Sequence, residues 1–248
     1  MRRTNGTNGE RVGEILITTS LIFCLAACGG RSDTATPAPP SVPGKLTIVA
    51  PTPSDSAHAN GVGIPAGYTM QLDDPQDSTA PRARYHDDGN GRWEVTTGPA
   101  HILYTTRDTT RKNYTVTATF EQLAAPEHPE AFGVFIGGTT LDKPNQQRYT
   151  YFLVRGSGEY AVKVRDGQAT RTLTEWTPHP AIPKQDASGH ALYGIKIDVA
   201  GTIAKVNVNG QPVTMFSAPH VPMQGIAGVR INHNLHVMVT PALVTRRN

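Results

Sequence analysis

The chain has 248 residues, 23 Lys and Arg against 20 Asp and Glu, and a formal net charge of +3 with neutral histidines. So mild and scattered a surplus excludes the concentrated basic stripe that a nucleic-acid partner requires. Only two cysteines occur, Cys24 and Cys28, both close to the N-terminus, which excludes a disulfide framework or a cysteine zinc site in the rest of the chain.

In chain order, Arg2, Arg3 and Arg11 precede an apolar run from Ile15 to Leu25 that is broken by two threonines and a serine. It is too short for a comfortable membrane span and reads as the apolar centre of a signal peptide over residues 1–27. Its end, Leu25-Ala26-Ala27-Cys28-Gly29, resembles the bacterial lipobox. That resemblance implies lipidation of Cys28, attachment to a membrane through the lipid, and a place in the bacterial cell envelope. Gly29 rather than Asp after the cysteine favours the outer membrane where the host has one. An ordinary secretory signal with an incidental cysteine is the alternative, since small residues alone satisfy a standard cleavage site. Cleavage before Cys28 removes three arginines and two glutamates and lowers the formal charge from +3 to +2. The following "GGRSDTATPAPPSVPGK" offers little to bury and reads, with Cys28, as a tether over 28–45. Residues 46–248 then remain for a single domain with a substantial core.

Beyond the tether no long segment has a 3.6-residue hydrophobic period. Short alternations separated by Gly, Pro, Asn and Asp predict an all-β fold of about ten strands. The clearest is "YTVTATF", in which Tyr114, Val116, Ala118 and Phe120 share one face and three threonines the other. Further strands are expected in "RWEV", "AHILYTT", "AFGVFIG", "ALYGIKIDV", "IAGVRI" and "LHVMVT". "RYTYFLVR" and "EYAVKVR" flank Gly156-Ser157-Gly158 and predict an antiparallel hairpin, and Asn209-Gly210 suits a type I′ turn. Strand number and turn spacing favour a two-sheet sandwich over a barrel.

Trp93-Glu-Val with the nearby Gly98, "NYTVTATF", "FGVFIGG", "VRGSGEYAVKVR", "VNVNGQPV" and "GIAGVRINHNLHVMV" together resemble the concanavalin A-like lectin/glucanase sandwich over most of residues 64–244. The pattern is similar to bacterial secreted domains of the 3-keto-disaccharide hydrolase type. The resemblance implies an antiparallel jelly roll with one concave, often ligand-facing sheet. The Glu-x-Asp-x-x-Glu strand of the glucanase enzymes has no counterpart here. Glu127 and Glu130 are three apart in a proline-broken segment, so they do not share a strand face. Glu94, Glu121, Glu159, Glu175 and Asp198 are isolated and read as solvated strand or turn acids.

The segment "AAPEHPEAFGVFIGG" reads as a corner between two strands, with His128 and Glu130 as loop residues that could contribute to ligand binding. His233 and His236, three apart, would point to opposite faces of a strand, which argues against a chelating pair. Asp73, Asp74, Asp87 and Asp88 lack EF-hand spacing and read as turn residues, with structural calcium as the alternative. No other metal or cofactor is expected. If Gly156-Ser157-Gly158 centres its hairpin, Tyr151 lies opposite Lys163 and Tyr149 opposite Arg165, with Trp176 beyond on the next turn. That row of aromatics and cations could stack on sugar rings and bond their hydroxyls or acidic groups. The competing reading has the aromatics covering the core while the cations extend from its edge. Three functions follow: a surface-anchored, noncatalytic binder of carbohydrate or another envelope polymer; a glycan-active hydrolase or lyase with acid and base on separate strands; and an envelope scaffold. The first leads, because no paired-carboxylate, Ser/His/Asp or metal motif has usable local spacing.

Overall fold

The computed structural model describes residues 61–77, 82–219 and 221–247. The signal peptide, Cys28 and the tether lie outside the described residues. In chain order the strands are β1 (Gly61–Val62), β2 (Thr69–Leu72), β3 (Ala83–Asp87), β4 (Trp93–Thr96), β5 (His101–Thr110), β6 (Asn113–Gln122), β7 (Ala131–Thr139), β8 (Arg148–Arg155), β9 (Glu159–Asp166), β10 (Ala169–Pro178), β11 (Ala191–Ala200), β12 (Ile203–Val208), β13 (Gln211–Ser217), β14 (Gly225–Ile231), β15 (His236–Val239) and β16 (Leu243–Arg246). They form two sheets, antiparallel apart from the short β1–β3 pairing. The first runs β1-β3-β4-β15-β6-β11-β12-β13, with β16 also on β6, and the second runs β10-β9-β8-β7-β14-β5-β2. The expected two-sheet antiparallel jelly-roll sandwich is what forms.

The core lies between the sheets because each strand alternates. Tyr114, Val116, Ala118 and Phe120 of β6 point inward, as do Phe132, Val134 and Ile136 of β7, and Phe120 stacks on Phe132 at 5.1 Å between ring centres. Tyr114 reaches across to donate a 2.5 Å hydrogen bond to the Met223 carbonyl, which satisfies a hydroxyl that would otherwise be buried unpaired. At one edge of the core His101 is fully buried between the Pro99 carbonyl, 3.0 Å from Nδ1, and the Tyr85 hydroxyl, 2.5 Å from Nε2. A carbonyl can only accept, so Nδ1 carries the proton and Nε2 accepts from Tyr85.

The turns follow the sequence. Gly158 N–H bonds the Arg155 carbonyl at 3.0 Å and closes the β8–β9 hairpin. Asn209 and Gly210 both have positive φ, 49° and 78°, as a type I′ turn requires. Asp87 and Asp88 cap the β3–β4 turn, accepting from the backbone of Gly89 and Asn90 at 2.8 Å each. Among the described residues sixteen strands replace the expected ten or so. The largest addition is β10, an edge strand carrying Thr170, Thr172, Thr174 and Thr177 and two register shifts against β9, so it lacks the apolar alternation that marks a strand. Trp176 therefore sits on a strand and not on a turn.

Candidate functional site

A strand pair with alternating apolar residues buries one face in the sandwich and leaves the other for a second use. On β8 and β9 the inward set is Phe152, Val154, Val162 and Val164. The outward set begins with Tyr149 opposite Arg165 and Tyr151 opposite Lys163, the register the hairpin turn predicts. Phe135 of β7 continues the Tyr151 row, while Arg230 of β14 lies between Gly133 of β7 and Ile102 of β5. Gly228 is needed here, because a Cβ would come within 2.6 Å of the Phe135 ring and 2.4 Å of the Leu103 carbonyl oxygen.

This outer face is not open. Ile102, Tyr104, Phe135, Leu141, Tyr149, Tyr151 and Leu153 form a second apolar cluster against which Trp176 packs. Tyr149 and Tyr151 are 1% and 4% exposed, so neither offers a ring face to a ligand. The expectation of an open tyrosine row is corrected: the outward side chains collapse on one another around a buried guanidinium. Arg230 forks onto both carboxylate oxygens of Asp73 and donates from Nη1 to the Tyr149 hydroxyl at 2.9 Å. Tyr149 in turn donates to Asp73 at 3.0 Å, Arg165 Nη2 donates to the Asp73 carbonyl at 2.9 Å, and the Arg230 guanidinium lies 4.7 Å from the Tyr151 ring centre. Burial by itself would raise the Asp73 carboxyl, but the Arg230 charge and hydrogen bonds, with Arg165 and Tyr149, hold it below its ordinary value. Burial drives the Tyr149 hydroxyl upward, so it stays a neutral donor.

Trp176, half-buried, is the aromatic residue of this face that keeps part of its ring in water. Arg155 lies over it at 4.3 Å and Lys163 approaches to 5.9 Å. Glu159 holds Arg155 at 2.7 Å and leaves the guanidinium on the ring. Lys163 and Arg165 are likewise half-buried.

Arg155 also lines a cleft of about 240 Å³ that contains His128, Glu130, Ser157 and Gln185. Arg155 thus links the corner to the edge strand, lining the His128–Glu130 cleft and lying over the Trp176 ring. The loop position of His128 and Glu130, between β6 and β7, agrees with the proline reading. Burial raises the Glu130 carboxyl, opposed by the His233 charge, a hydrogen bond from Asn232 and the charges of His128 and Arg230. His233 meets Asp77 at 2.9 Å and His236 meets Glu94 at 2.7 Å, so the two histidines take separate carboxylate partners. Among the described residues no group of three or more His, Cys, Asp or Glu gathers as a metal set. Glu121 and Asp198 are engaged by Arg92 and His190, and by Thr115 and Lys196, on the other sheet.

Sequence reasoning missed Arg230, Arg155 and Gln185, and read Asp73 as a turn or calcium residue where it is the partner of Arg230. The isolated arginine in "GVRI" is the one signal for Arg230, since a cation at an alternating strand position must find a buried partner or water.

No family model and no curated protein matches the chain. Among solved structures it is similar to the carbohydrate-binding module CBM66 from Bacillus subtilis, at 10% identity over 72% of this chain and 94% of that one, with a TM-score of 0.53. A Bacillus subtilis protein of unknown function with a galectin-like fold is also similar, at 10% identity, 72% and 89% coverage and a TM-score of 0.49. So is family 7 alginate lyase A1-II′, at 12% identity, 73% and 95% coverage and a TM-score of 0.48. The likeness is one of fold, a concanavalin-like sandwich.

Proposed function

We propose that this chain is a lipid-anchored envelope protein, held through Cys28, whose sandwich binds carbohydrate or another envelope polymer without catalysis. The observation that carries the reading is Arg155, which lies over the half-buried Trp176 ring and also lines the cleft of His128 and Glu130. The part of the indole that reaches water suits the apolar face of a sugar ring, and the cleft supplies donors and acceptors for hydroxyls. Lys163 and Arg165 add cations for acidic substituents. The Asp73–Arg230–Tyr149 network fixes the sheet beneath and takes no part in contact. The sandwich shared with a carbohydrate-binding module agrees with this reading. It is tested on an array of bacterial and plant glycans with product release assayed in parallel. Binding without products, weakened by Trp176→Ala, is expected; product formation would overturn the noncatalytic assignment.

The enzymatic reading, a glycan hydrolase or lyase similar to 3-keto-disaccharide hydrolase-type domains, draws on one observation. Burial shifts Glu130 toward the protonated form within the cleft, as a general acid requires. It predicts product release that Glu130→Gln abolishes without loss of binding. The scaffold reading calls for a contiguous apolar patch. The exposed large apolar residues Val62, Leu192, Ile203, Met215 and Leu243 all lie on strands of the first sheet, with Ile203 and Met215 on the paired strands β12 and β13.

A further inference from the structure

A separate cleft of about 720 Å³ opens where β5 turns into β6 and β16 ends. Among the described residues it is lined by the cations Arg111, Lys112, Arg246 and Arg247 with Thr109, Asn113 and Gln224, and by no acid or aromatic residue. Arg111 and Lys112 form the tip of the tight β5–β6 hairpin, and both are exposed. Their side chains make no hydrogen bond or ion pair among the described residues. β16 lies antiparallel on β6 with Arg246 opposite Tyr114, which brings the two arginines to the same end of the sandwich as that hairpin tip.

How these arginines are held matters more than their number. Arg246 donates from Nη2 to the carbonyls of Arg107 and Thr109, at 3.0 Å each. Arg247 donates to the carbonyls of Val199 and Tyr114, at 3.1 and 3.4 Å. Carbonyl oxygens fix a guanidinium without cancelling its charge, unlike the carboxylate that neutralises Arg230. The nearby acids are Asp198, 3.8 Å from Arg247 and already bound by Thr115 and Lys196, and the half-buried Asp108. The cleft therefore keeps a net positive field.

We propose that this cleft binds a soluble polyanion, a chain carrying repeated phosphate groups such as a phosphorylated glycan. Guanidinium forks match phosphate oxygens in pairs, and unpaired flexible cations at the hairpin tip can follow a second phosphate. With no ring to stack on, recognition here is by charge, which distinguishes this site from the Trp176 surface. A concave cleft accommodates a chain better than a flat bilayer.

The test uses the full chain and inorganic polyphosphate, with affinity measured across a salt series. Binding is expected to weaken as salt rises. Arg111→Ala/Lys112→Ala should weaken it by about tenfold or more at low salt and make the log–log salt slope shallower by about 1.4, for two lost phosphate contacts. Circular dichroism should be unchanged, because neither side chain has a folded partner. Lys143→Ala/Lys205→Ala removes the same charge from exposed positions elsewhere and should leave affinity unchanged, as should Trp176→Ala. Absence of polyphosphate binding, or equal loss in the two double variants, would overturn the proposal. So would a preference for phosphatidylglycerol over phosphatidylcholine vesicles that Arg111→Ala/Lys112→Ala abolishes without any polyphosphate binding, which would assign the cleft to a membrane surface.

Discussion

Replacing Asp73 by Asn would leave the Arg230 guanidinium buried with no counter-charge. Arg230 is 6% exposed and the Asp73 side chain 20%, so neither charge has enough water to be rescued by solvent. Removing one member of such a pair costs about 3–5 kcal/mol, most of it the desolvation of the survivor. At a urea m-value of about 3 kcal/mol per M, the unfolding midpoint should fall by about 1–1.7 M. The double variant Asp73→Leu/Arg230→Met removes both charges and should recover a large part of that loss. Acid provides an independent check on sign. The folded Asp73 carboxyl lies below its ordinary value of 3.8, so its contribution is present above that value and is lost as pH falls through the lower folded one. Wild type should therefore lose stability at the acid extreme in a step that Asp73→Asn lacks. Urea titrations followed by tryptophan fluorescence read both effects. A loss under about 1 kcal/mol in Asp73→Asn would refute the account, because that is the range of a solvated surface pair.

His101, buried and pushed down to about 4 from 6.5 chiefly by desolvation, gives a second and higher acid window. The unfolded state binds the proton first, so stability should decline as pH falls from 6.5 toward 4, by about 3 kcal/mol, and the slope should be reduced in His101→Gln. Gly137 has φ +68° and a Cβ there would lie 2.4 Å from the Pro222 carbonyl carbon, so Gly137→Ala should destabilise by about 1 kcal/mol or more in the same titration. Cys28→Ser is expected to abolish incorporation of labelled palmitate and to move the protein from the membrane fraction to the soluble one; retention of label by the variant would remove Cys28 as the attachment point, and absence of label in wild type would remove the lipid anchor from the account.

The sandwich was legible because its interior strands alternate without interruption: "YTVTATF" states its own inner and outer faces, and Gly156-Ser157-Gly158 fixed the pairing of Tyr149 with Arg165 and Tyr151 with Lys163. Edge strands were not. β10 is held by β9 on one side and solvent on the other, so nothing demands apolar residues there, and its threonines carry no period. The site was half legible for a related reason. Local spacing shows which residues share a face, but not whether that face is wet. Tyr149 and Tyr151 sit on the expected side and are nonetheless sealed, because Asp73, 157 positions from Arg230 in sequence, folds over that side of the sheet and bonds its central cation. Trp176 remained accessible because β10 is an edge, and Arg155 entered the site through its contact with that ring and its place in the His128–Glu130 cleft.

The most direct measurement is calorimetric titration of wild type and Trp176→Ala with the strongest glycan from the array, with circular dichroism to confirm that both are folded. Loss of the indole from a sugar face should weaken binding about fivefold or more. An unchanged affinity in the folded Trp176→Ala protein would show that the edge of the second sheet is not where the polymer binds.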